Sequence, residues 1–154
     1  MGSASLQTLA EARRAFKDIP LVHVGSLLPD GTPHVIPLWF VWLDDATIVV
    51  TCRDRSQIWA NVTRDPRVAL EFERGRKWVE QSGLLVRGRA DEVAPEEATG
   101  KRALSAWFDK YREELAGPGF AAYTEQVPEP RLFRIRPAWV SRWAHREASA
   151  SSRG

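Results

Sequence analysis

The chain has 154 residues, of which 44% are hydrophobic and 27% are charged, a composition typical of one globular domain. Its 22 basic and 20 acidic side chains leave a formal charge of +2, which is too balanced to indicate nucleic-acid binding. The single cysteine, Cys52, excludes an internal disulfide, and no apolar stretch is long enough to cross a bilayer. Since the start also lacks a signal-peptide pattern, we expect a cytoplasmic protein with one domain over residues 1–146 and a disordered tail at 147–154.

The first third of the chain predicts a helix and a β-hairpin. Apolar residues at helical spacing predict an amphipathic helix over residues 5–17. A strand over 21–28 is followed by a turn in which Gly31 can take a positive φ, and a second strand follows over 34–43. Because both faces of the second strand are apolar, we expect a barrel wall that is covered by a helix or by another subunit.

The hydrophobic period changes after a strand at 47–52. Ser56 is a good N-cap residue for a short helix that ends before Asp65 and Pro66. Three apolar residues are expected on one side of this helix, namely Ile58, Trp59 and Val62.

The second half of the chain predicts further strands and one long helix. The strands are expected at 68–72, from about 77 to 91, at 132–136 and at 138–144, with Pro137 between the last two. A helix that opens at Pro95 is stopped at Gly117, and a loop follows. The core stripe of this helix is predicted to be Leu104, Trp107, Phe108, Tyr111 and Leu115.

The segment from Thr51 to Asn61 is a candidate site for an anionic ligand. Here the end of a strand passes through two arginines into the N-terminus of a helix. Unpaired backbone amides and the helix dipole attract phosphate at such a turn, and Arg53 and Arg55 can add charge-assisted hydrogen bonds. The alternative is a solvated arginine turn with a capping serine.

The strand at 33–40, the turn at 51–61 and the segment at 61–70 together resemble the pyridoxamine 5'-phosphate oxidase-like flavin and deazaflavin oxidoreductases. The resemblance covers about residues 16–93, with a weaker match at 133–137. It implies a mostly β (α+β) fold, namely a six-stranded antiparallel split β-barrel with flanking helices. It also implies a homodimer with a flavin-like cofactor in a groove between the two subunits.

The same resemblance implies particular cofactor contacts. The phosphate would lie at Thr51, Arg53, Arg55, Ser56 and Gln57, and the ring along Val35, Pro37 and Trp39. Asn61 matches the helix asparagine of the family. Many members carry a lysine three residues earlier, where this chain has Ile58. Either Arg53 and Arg55 replace that phosphate contact, or the site holds a different ligand, or cofactor binding has been lost. The strand motif of true pyridoxamine phosphate oxidases is absent, which disfavours that particular reaction.

Other polar and aromatic residues are weaker candidates. The three histidines are far apart in the sequence and predict no metal site. His34 is a candidate for a substrate role, with a turn residue as the alternative. Trp59 is a candidate pocket residue, whereas Trp78 is expected in the core. Arg87 and Arg89 are expected on a solvated strand face.

The leading hypothesis is a redox enzyme that binds FMN or, preferentially, the deazaflavin coenzyme F-420 and transfers hydride to or from a small conjugated substrate. No catalytic acid, base or nucleophile is evident, as expected where the cofactor supplies the chemistry. One alternative is a non-catalytic split-barrel module that binds haem, flavin or a related tetrapyrrole, and Ile58 favours it. A dimeric protein without any ligand is the other. Neither a nucleic acid nor a membrane is expected as a partner.

Overall fold

The computed structural model describes residues 6–44 and 46–145, so the tail predicted at 147–154 lies outside the described residues. The helices are α1 (Leu6–Phe16), α2 (Gln57–Arg64), α3 (Ala98–Lys110) and α4 (Pro118–Gln126). The strands are β1 (Val22–Leu27), β2 (Pro33–Leu38), β3 (Phe40–Asp44), β4 (Thr47–Arg53), β5 (Arg67–Arg74), β6 (Ser82–Val93) and β7 (Pro130–Ala144). Within this part of the chain, every helix is too short and too polar to cross a membrane.

The strands form one antiparallel sheet in the order β2-β1-β5-β6-β7-β4-β3. β2 and β3 lie at opposite ends of this order, although only Trp39 separates them in the chain. The sheet therefore has to curl until its two edges approach each other at Trp39. There the amide N–H of Thr51 in β4 donates to the Trp39 carbonyl at 3.1 Å. The mostly β architecture predicted from the sequence is confirmed, and it fits a split barrel.

The described sheet has seven strands, so the predicted count of six is wrong. The strand predicted over 34–43 changes its partner at Trp39. Before this residue Leu38 pairs with Val22 of β1, and after it Phe40 pairs with Val50 of β4. One continuous apolar run in the sequence thus supplies two strands at opposite edges of the sheet.

The interruption predicted at Pro137 is absent, because β7 runs through it without a break. Gly88 pairs with Pro137 and Arg87 pairs with Trp139, which leaves Ala138 as an extra residue. This is a β-bulge, a place where a strand tolerates a proline because the hydrogen-bond ladder is already disrupted there.

Three further sequence predictions fail in the same half of the chain. β6 begins at Ser82 rather than near residue 77, and residues Trp78–Glu80 form a 3-10 turn. Trp78 is 63% exposed and stacks on His145 with ring centroids 4.3 Å apart, so its predicted place in the core is wrong. Phe108 is 48% exposed, because the buried line of α3 passes instead through Gly100, Ala103 and Trp107.

The loop predicted after Gly117 is a helix, α4. Gly117 has a φ of 56°, a left-handed conformation that glycine adopts without a steric penalty. Pro118 then occupies the first turn of α4, where its missing N–H costs nothing. Gly117 and Pro118, predicted to stop a helix, therefore begin α4, and the preceding helix α3 already ends at Lys110.

The main hydrophobic core fills the inside of the curled sheet beneath α1 and α2. Its large buried side chains include Phe16, Phe40, Ile58, Leu70, Phe72 and Phe133. A second core lies between α3 and the other face of the sheet, and it includes Val41, Val49, Val93, Trp107, Tyr111 and Leu132. β3 contributes to both cores, so the predicted burial of both faces of this apolar run is confirmed for its second half. In the first half, Val35 and Pro37 on one face of β2 are exposed in this chain.

Tyr111 holds the bend between β2 and β3. Its hydroxyl accepts a hydrogen bond from the Phe40 amide at 2.9 Å. The carbonyl oxygens of Pro20 and Phe40 lie 2.9 and 3.0 Å away and share the single hydroxyl proton. The Tyr111 ring also stacks on Trp39, with centroids 4.3 Å apart and planes 7° from parallel. Burial raises the pKa of Tyr111 well above its usual range, so the hydroxyl keeps its proton.

We expect the Tyr111→Phe substitution to lower the free energy of unfolding by about 1 to 3 kcal/mol, because the buried Phe40 amide then loses its acceptor. Chemical denaturation measures this change. The control is Tyr123→Phe, since the Tyr123 ring also stacks on Trp39 while its hydroxyl has no hydrogen bond within the described residues. Equal losses in the two variants would contradict a specific role for the Tyr111 hydroxyl.

Candidate functional site

A groove follows the turn from β4 to α2 and is covered on one side by the end of α4. It consists of two adjoining cavities of about 420 and 470 Å³. Four residues line both cavities, namely Arg53, Ser56, Gln126 and Val127. The smaller cavity is lined mainly by apolar side chains of β2, β4 and α2, whereas Asp54, Arg55 and Glu129 line the larger one. The groove is therefore apolar at one end and charged at the other.

The turn itself is shaped by Arg55 and Ser56. Arg55 has a φ of 58°, a left-handed conformation that is strained for a residue with a Cβ atom. Ser56 is the N-cap of α2, as the sequence predicts. Its Oγ accepts a hydrogen bond from the Trp59 amide at 3.3 Å and donates one to the Arg53 carbonyl at 2.6 Å. The chain thereby reverses direction and brings the N-terminus of α2 to the groove.

The turn that borders the groove has unpaired hydrogen-bond donors. Within the described part of the chain, no acceptor lies against the amides of Gln57 and Ile58, which belong to the first turn of α2. The Arg53 guanidinium likewise has no hydrogen bond or ion pair among the described residues. The Arg55 side chain is 94% exposed and forms a long ion pair with the Asp54 carboxylate, with a nitrogen–oxygen distance of 3.9 Å. Arg53 and the two amides can bind an anion without breaking a contact among the described residues, whereas Arg55 would exchange its ion pair with Asp54 for the ligand.

Two carboxylates balance part of this positive charge. Asp54 accepts a hydrogen bond from Arg131 at 3.0 Å, and this partner holds the pKa of Arg131 above its usual value. Glu129 also lines the charged cavity. Arg53 and Arg55 line the charged cavity together with Asp54 and Glu129, and the neighbouring Arg131 is shared between Asp54 and Glu92. Because Asp54 is already paired with Arg131, Arg53 and Arg55 are the cations available to a ligand.

The apolar end of the groove is built around Trp39. Tyr111 and Tyr123 both stack on this indole, with planes 7° and 4° from parallel, and Tyr123 lies at a centroid distance of 5.4 Å. Pro37 and Leu38 continue the same wall along β2. This wall is rigid because its aromatic rings hold each other in place, and it is suited to the flat, apolar part of a ligand.

Two titratable groups of this wall are neutral at physiological pH. Burial raises the pKa of Cys52 to about 11, so the side chain is a thiol and not a thiolate. Burial also raises the pKa of Tyr123 to about 12. Cys52 is 5% exposed and is a small buried residue of β4. Neither group is an activated nucleophile, so the residues of the wall can orient a ligand but do not supply covalent catalysis.

The structure brings seven of the predicted site residues together in the groove, namely Pro37, Trp39, Thr51, Arg53, Arg55, Ser56 and Ile58. Ile58 is 1% exposed and also packs in the main core, where it forms the floor of the groove. A lysine at this position would have to reach past the core to meet a phosphate. The apolar side chain therefore fits the packing of this particular chain.

Three other predicted site residues do not line the groove. Val35 is 65% exposed on the outer face of β2. Gln57 is exposed on α2, and its amide lies 2.8 Å from the amide of Asn61. Asn61 is completely buried and lies 3.0 Å from Ser26 Oγ, so it ties α2 to β1. Trp59 also stays outside the groove, where the Arg131 guanidinium lies 5.6 Å from its ring.

The sequence prediction missed the contribution of α4 to the groove. Tyr123, Gln126 and Val127 line it, yet their segment was expected to be a loop. The helical signal was the spacing of Phe120, Tyr123 and Val127, three and four residues apart. The adjacent Gly117 and Gly119 obscured it.

None of the three histidines lines the groove. His34 is half-buried, and its Nδ1 has no hydrogen-bond partner among the described residues. His23 Nδ1 lies 3.2 Å from a Glu71 carboxylate oxygen on the neighbouring strand. Together with Glu73 these groups place three potential ligand atoms within 4.8 Å of one another, a cross-strand cluster that the histidine spacing alone did not predict. Burial and the Glu73 charge raise the pKa of Glu71.

Comparison with known families gives a match to Pyridoxamine 5'-phosphate oxidase over residues 8–144. The chain belongs to this family. The resemblance seen in the sequence is thereby confirmed, over a longer stretch than the motifs alone had indicated. A search of curated proteins gave no match.

Solved structures of similar fold include proteins with different ligands. A conserved hypothetical protein from Mycobacterium tuberculosis has 24% identity and a TM-score of 0.71, with 89% of this chain and 84% of that chain covered. A structure described as an F420 reductase has 25% identity and a TM-score of 0.65, with coverage of 84% and 94%. A heme binding protein from Mycobacterium smegmatis has 16% identity and a TM-score of 0.69, with coverage of 96% and 57%.

We expect Cys52 to be alkylated by iodoacetamide at pH 8 at least 100-fold more slowly in the folded protein than in guanidinium-unfolded protein. With a pKa of about 11, roughly one thiol in 1,000 is ionised at this pH, and the side chain is buried as well. Mass spectrometry over time measures the rate in both states. Similar rates in folded and unfolded protein would show that the thiol is accessible and unperturbed.

Proposed function

We propose that this protein is a flavin- or deazaflavin-dependent oxidoreductase that transfers hydride to or from a small conjugated substrate. The observation that carries the proposal is the two-ended groove. Arg55 and the unpaired Arg53 guanidinium lie at one end, next to the N-terminus of α2, and the flat wall at Pro37 and Trp39 lies at the other. FMN and coenzyme F-420 have the same layout, with a planar ring at one end and phosphate toward the other.

The residues of the groove fit such a cofactor. Arg53, Arg55 and the N-terminus of α2 would bind the phosphate, and Trp39 and Pro37 would lie beside the ring. When bound, the cofactor supplies the hydride-transfer chemistry. The chain would orient it, exclude water and offer the neutral hydroxyl of Tyr123 as a hydrogen-bond donor. Family membership and the similar F420 reductase support this assignment.

We further propose that the active form is a homodimer. Val35 on β2 and Leu21 just before β1 are 65% and 40% exposed, which is unusual for apolar side chains on a sheet that is otherwise well packed. A second copy packed on this face would bury them and place Val35 next to the cofactor ring. The partners proposed are thus a second copy of the chain and a small molecule, with no nucleic acid and no membrane.

A haem-binding module is the second candidate. It is supported by similar structures described as a heme binding protein and as a heme storage protein from Vibrio cholerae. Protein ligands to haem iron are commonly histidine, cysteine, methionine or tyrosine. No histidine or methionine lines this groove, and burial raises the pKa values of its cysteine, Cys52, and its tyrosine, Tyr123, so both keep their protons. These properties favour the flavin-type cofactor.

Titration of the purified protein with FMN, coenzyme F-420 and haem separates these candidates. We expect FMN or coenzyme F-420 to bind with a change in cofactor fluorescence, and haem to give no shifted absorption band. A protein that ignores both flavin-type cofactors at high micromolar concentration and binds haem would refute the proposed function.

The double variant Arg53→Ala/Arg55→Ala tests where the phosphate binds. We expect it to weaken cofactor binding by roughly 1 to 3 kcal/mol, because two charge-assisted hydrogen bonds are lost and both side chains are exposed to solvent. The matched control is Arg74→Ala/Arg76→Ala, which removes the same charge at the same spacing from an exposed turn outside the groove. Equal weakening in both variants would indicate a general charge effect and not a phosphate site.

A further inference from the structure

The cluster of His23, Glu71 and Glu73 lies on the outer face of the sheet, outside the groove. His23 of β1 pairs directly with Glu71 of β5, and Glu73 follows two residues later on the same face of β5. One donor atom from each of the three side chains lies within 4.8 Å of the other two, and His23 Nδ1 is 3.2 Å from a Glu71 oxygen. The pairing of the two strands therefore brings one imidazole and two carboxylates together.

The two glutamates of this cluster are not neutralised by any arginine or lysine in the described part of the chain. The only hydrogen-bond partner of the Glu71 carboxylate there is His23, and the Glu73 side chain has no hydrogen bond or ion pair. Their neighbours across the strands carry no charge, namely Pro37 next to His23, Leu85 next to Glu71 and Gly83 next to Glu73. Since two carboxylates on one strand face repel each other, a bound cation would relieve this repulsion.

The side chains of His23 and Glu71 are largely withdrawn from water, unlike those of an ordinary surface carboxylate cluster. They are 39% and 34% exposed, and the sheet holds both of them in place. Glu73 is exposed and free to turn toward them. Two ligands are thus positioned in advance, so only the third has to lose side-chain freedom when an ion binds.

The donor atoms of the cluster select the kind of ion. Imidazole nitrogen is a ligand for zinc and other transition metals, whereas calcium and magnesium are bound by oxygen. Three protein ligands and one water are a common zinc coordination, in which bonds of about 2.1 Å place the ligand atoms about 3.4 Å apart. The 3.2 Å between His23 Nδ1 and the Glu71 oxygen is close to this separation.

The cluster lies at one end of a short stretch of strand pairing. The pairing of β1 with β5 extends only from His23 and Glu71 to Gly25 and Ala69, whereas β1 pairs with β2 along its whole length. An ion with ligands from both β1 and β5 would add a link where the hydrogen-bond ladder ends.

We propose that His23, Glu71 and Glu73 bind a divalent transition-metal ion, with zinc as the best match, and that this ion holds β1 against β5. His23 Nδ1 and one oxygen of each glutamate are the protein ligands, and water completes the coordination. All three ligands come from one chain, so the site needs neither the cofactor nor the second copy proposed above.

Calorimetric titration of the untagged, chelator-treated protein with Zn²⁺ near neutral pH tests this site. We expect saturable binding of one ion per chain, together with a rise in the thermal unfolding temperature, because the ion binds the folded state. Mg²⁺ at the same concentration should neither bind nor displace Zn²⁺. An absence of saturable Zn²⁺ binding, or displacement of Zn²⁺ by Mg²⁺, overturns the site.

Glutamine substitutions identify the ligands. His23→Gln and Glu73→Gln should each weaken Zn²⁺ binding by about tenfold or more, since even a residue that only orients a ligand contributes about that much. The matched controls are His34→Gln and Glu113→Gln, which remove an imidazole and an exposed carboxylate outside the cluster and should leave the affinity unchanged. Because Glu73 is exposed, Glu73→Gln should fold as the wild type does, which thermal unfolding without Zn²⁺ checks. Equal affinity in all four variants overturns the assignment.

An arginine or lysine of a second copy is the other group that would neutralise these glutamates. In that case Zn²⁺ does not bind, and Glu73→Gln weakens self-association in analytical ultracentrifugation, a result that overturns the metal site. None of the three residues lines the groove, so this test and the cofactor titration can fail independently.

Discussion

The hydrogen bonds between the Tyr111 hydroxyl and the backbone of Phe40 are the constraint on which the rest of this structure depends. They join α3 to the point where the chain passes from β2 to β3, across 71 residues of sequence. At this point the chain leaves one edge of the sheet and starts the other, so the curl of the whole sheet is determined here. The stacking of Trp39 on Tyr111 then fixes the side chain that forms the wall of the groove.

The groove combines a rigid apolar wall with a strained, positively charged turn. Its wall is already packed against the second core, so little conformational entropy is lost when a planar ligand binds to it. The turn holds Arg55 in a left-handed conformation and keeps the first amides of α2 unpaired. Both features cost stability in the free protein, and such costs are common where a site is organised before its ligand arrives. The pairing of Asp54 with Arg131 adds to this organisation, because it removes a nearby carboxylate from competition for Arg53.

Ile58 shows how one position can serve the core and the site together. It fills the space between α2 and the inside of the sheet, and it also forms the floor of the groove. An anion site without the usual lysine is consistent with this packing, because the positive charge comes from the strand end instead. The helix asparagine of the family, Asn61, has a structural role in this chain, since it joins α2 to β1 through Ser26.

Local features of the fold were correctly predicted from the sequence. Four of these features depend on residues that are close together in the chain: strand alternation, the N-cap at Ser56, the positive φ at Gly31 and the helix over 6–16. The spacing of apolar residues and the chemistry of individual side chains therefore indicate them directly. The turn that carries Arg53 and Arg55 is likewise a local feature, formed by residues that are adjacent in the chain.

Features that depend on distant residues were decided only by the tertiary structure. The break at Trp39 is not visible in the sequence, because β2 and β3 differ in their pairing partners and not in their composition. Likewise, α4 reaches the groove because Tyr123 stacks on Trp39, and Trp78 is exposed because its partner is His145 rather than the core. The sequence by itself determined where most of the strands lie, the N-cap at Ser56 and the charged turn. Only the closure of the sheet decided which of these residues share one groove, because that closure depends on contacts between side chains more than 70 residues apart.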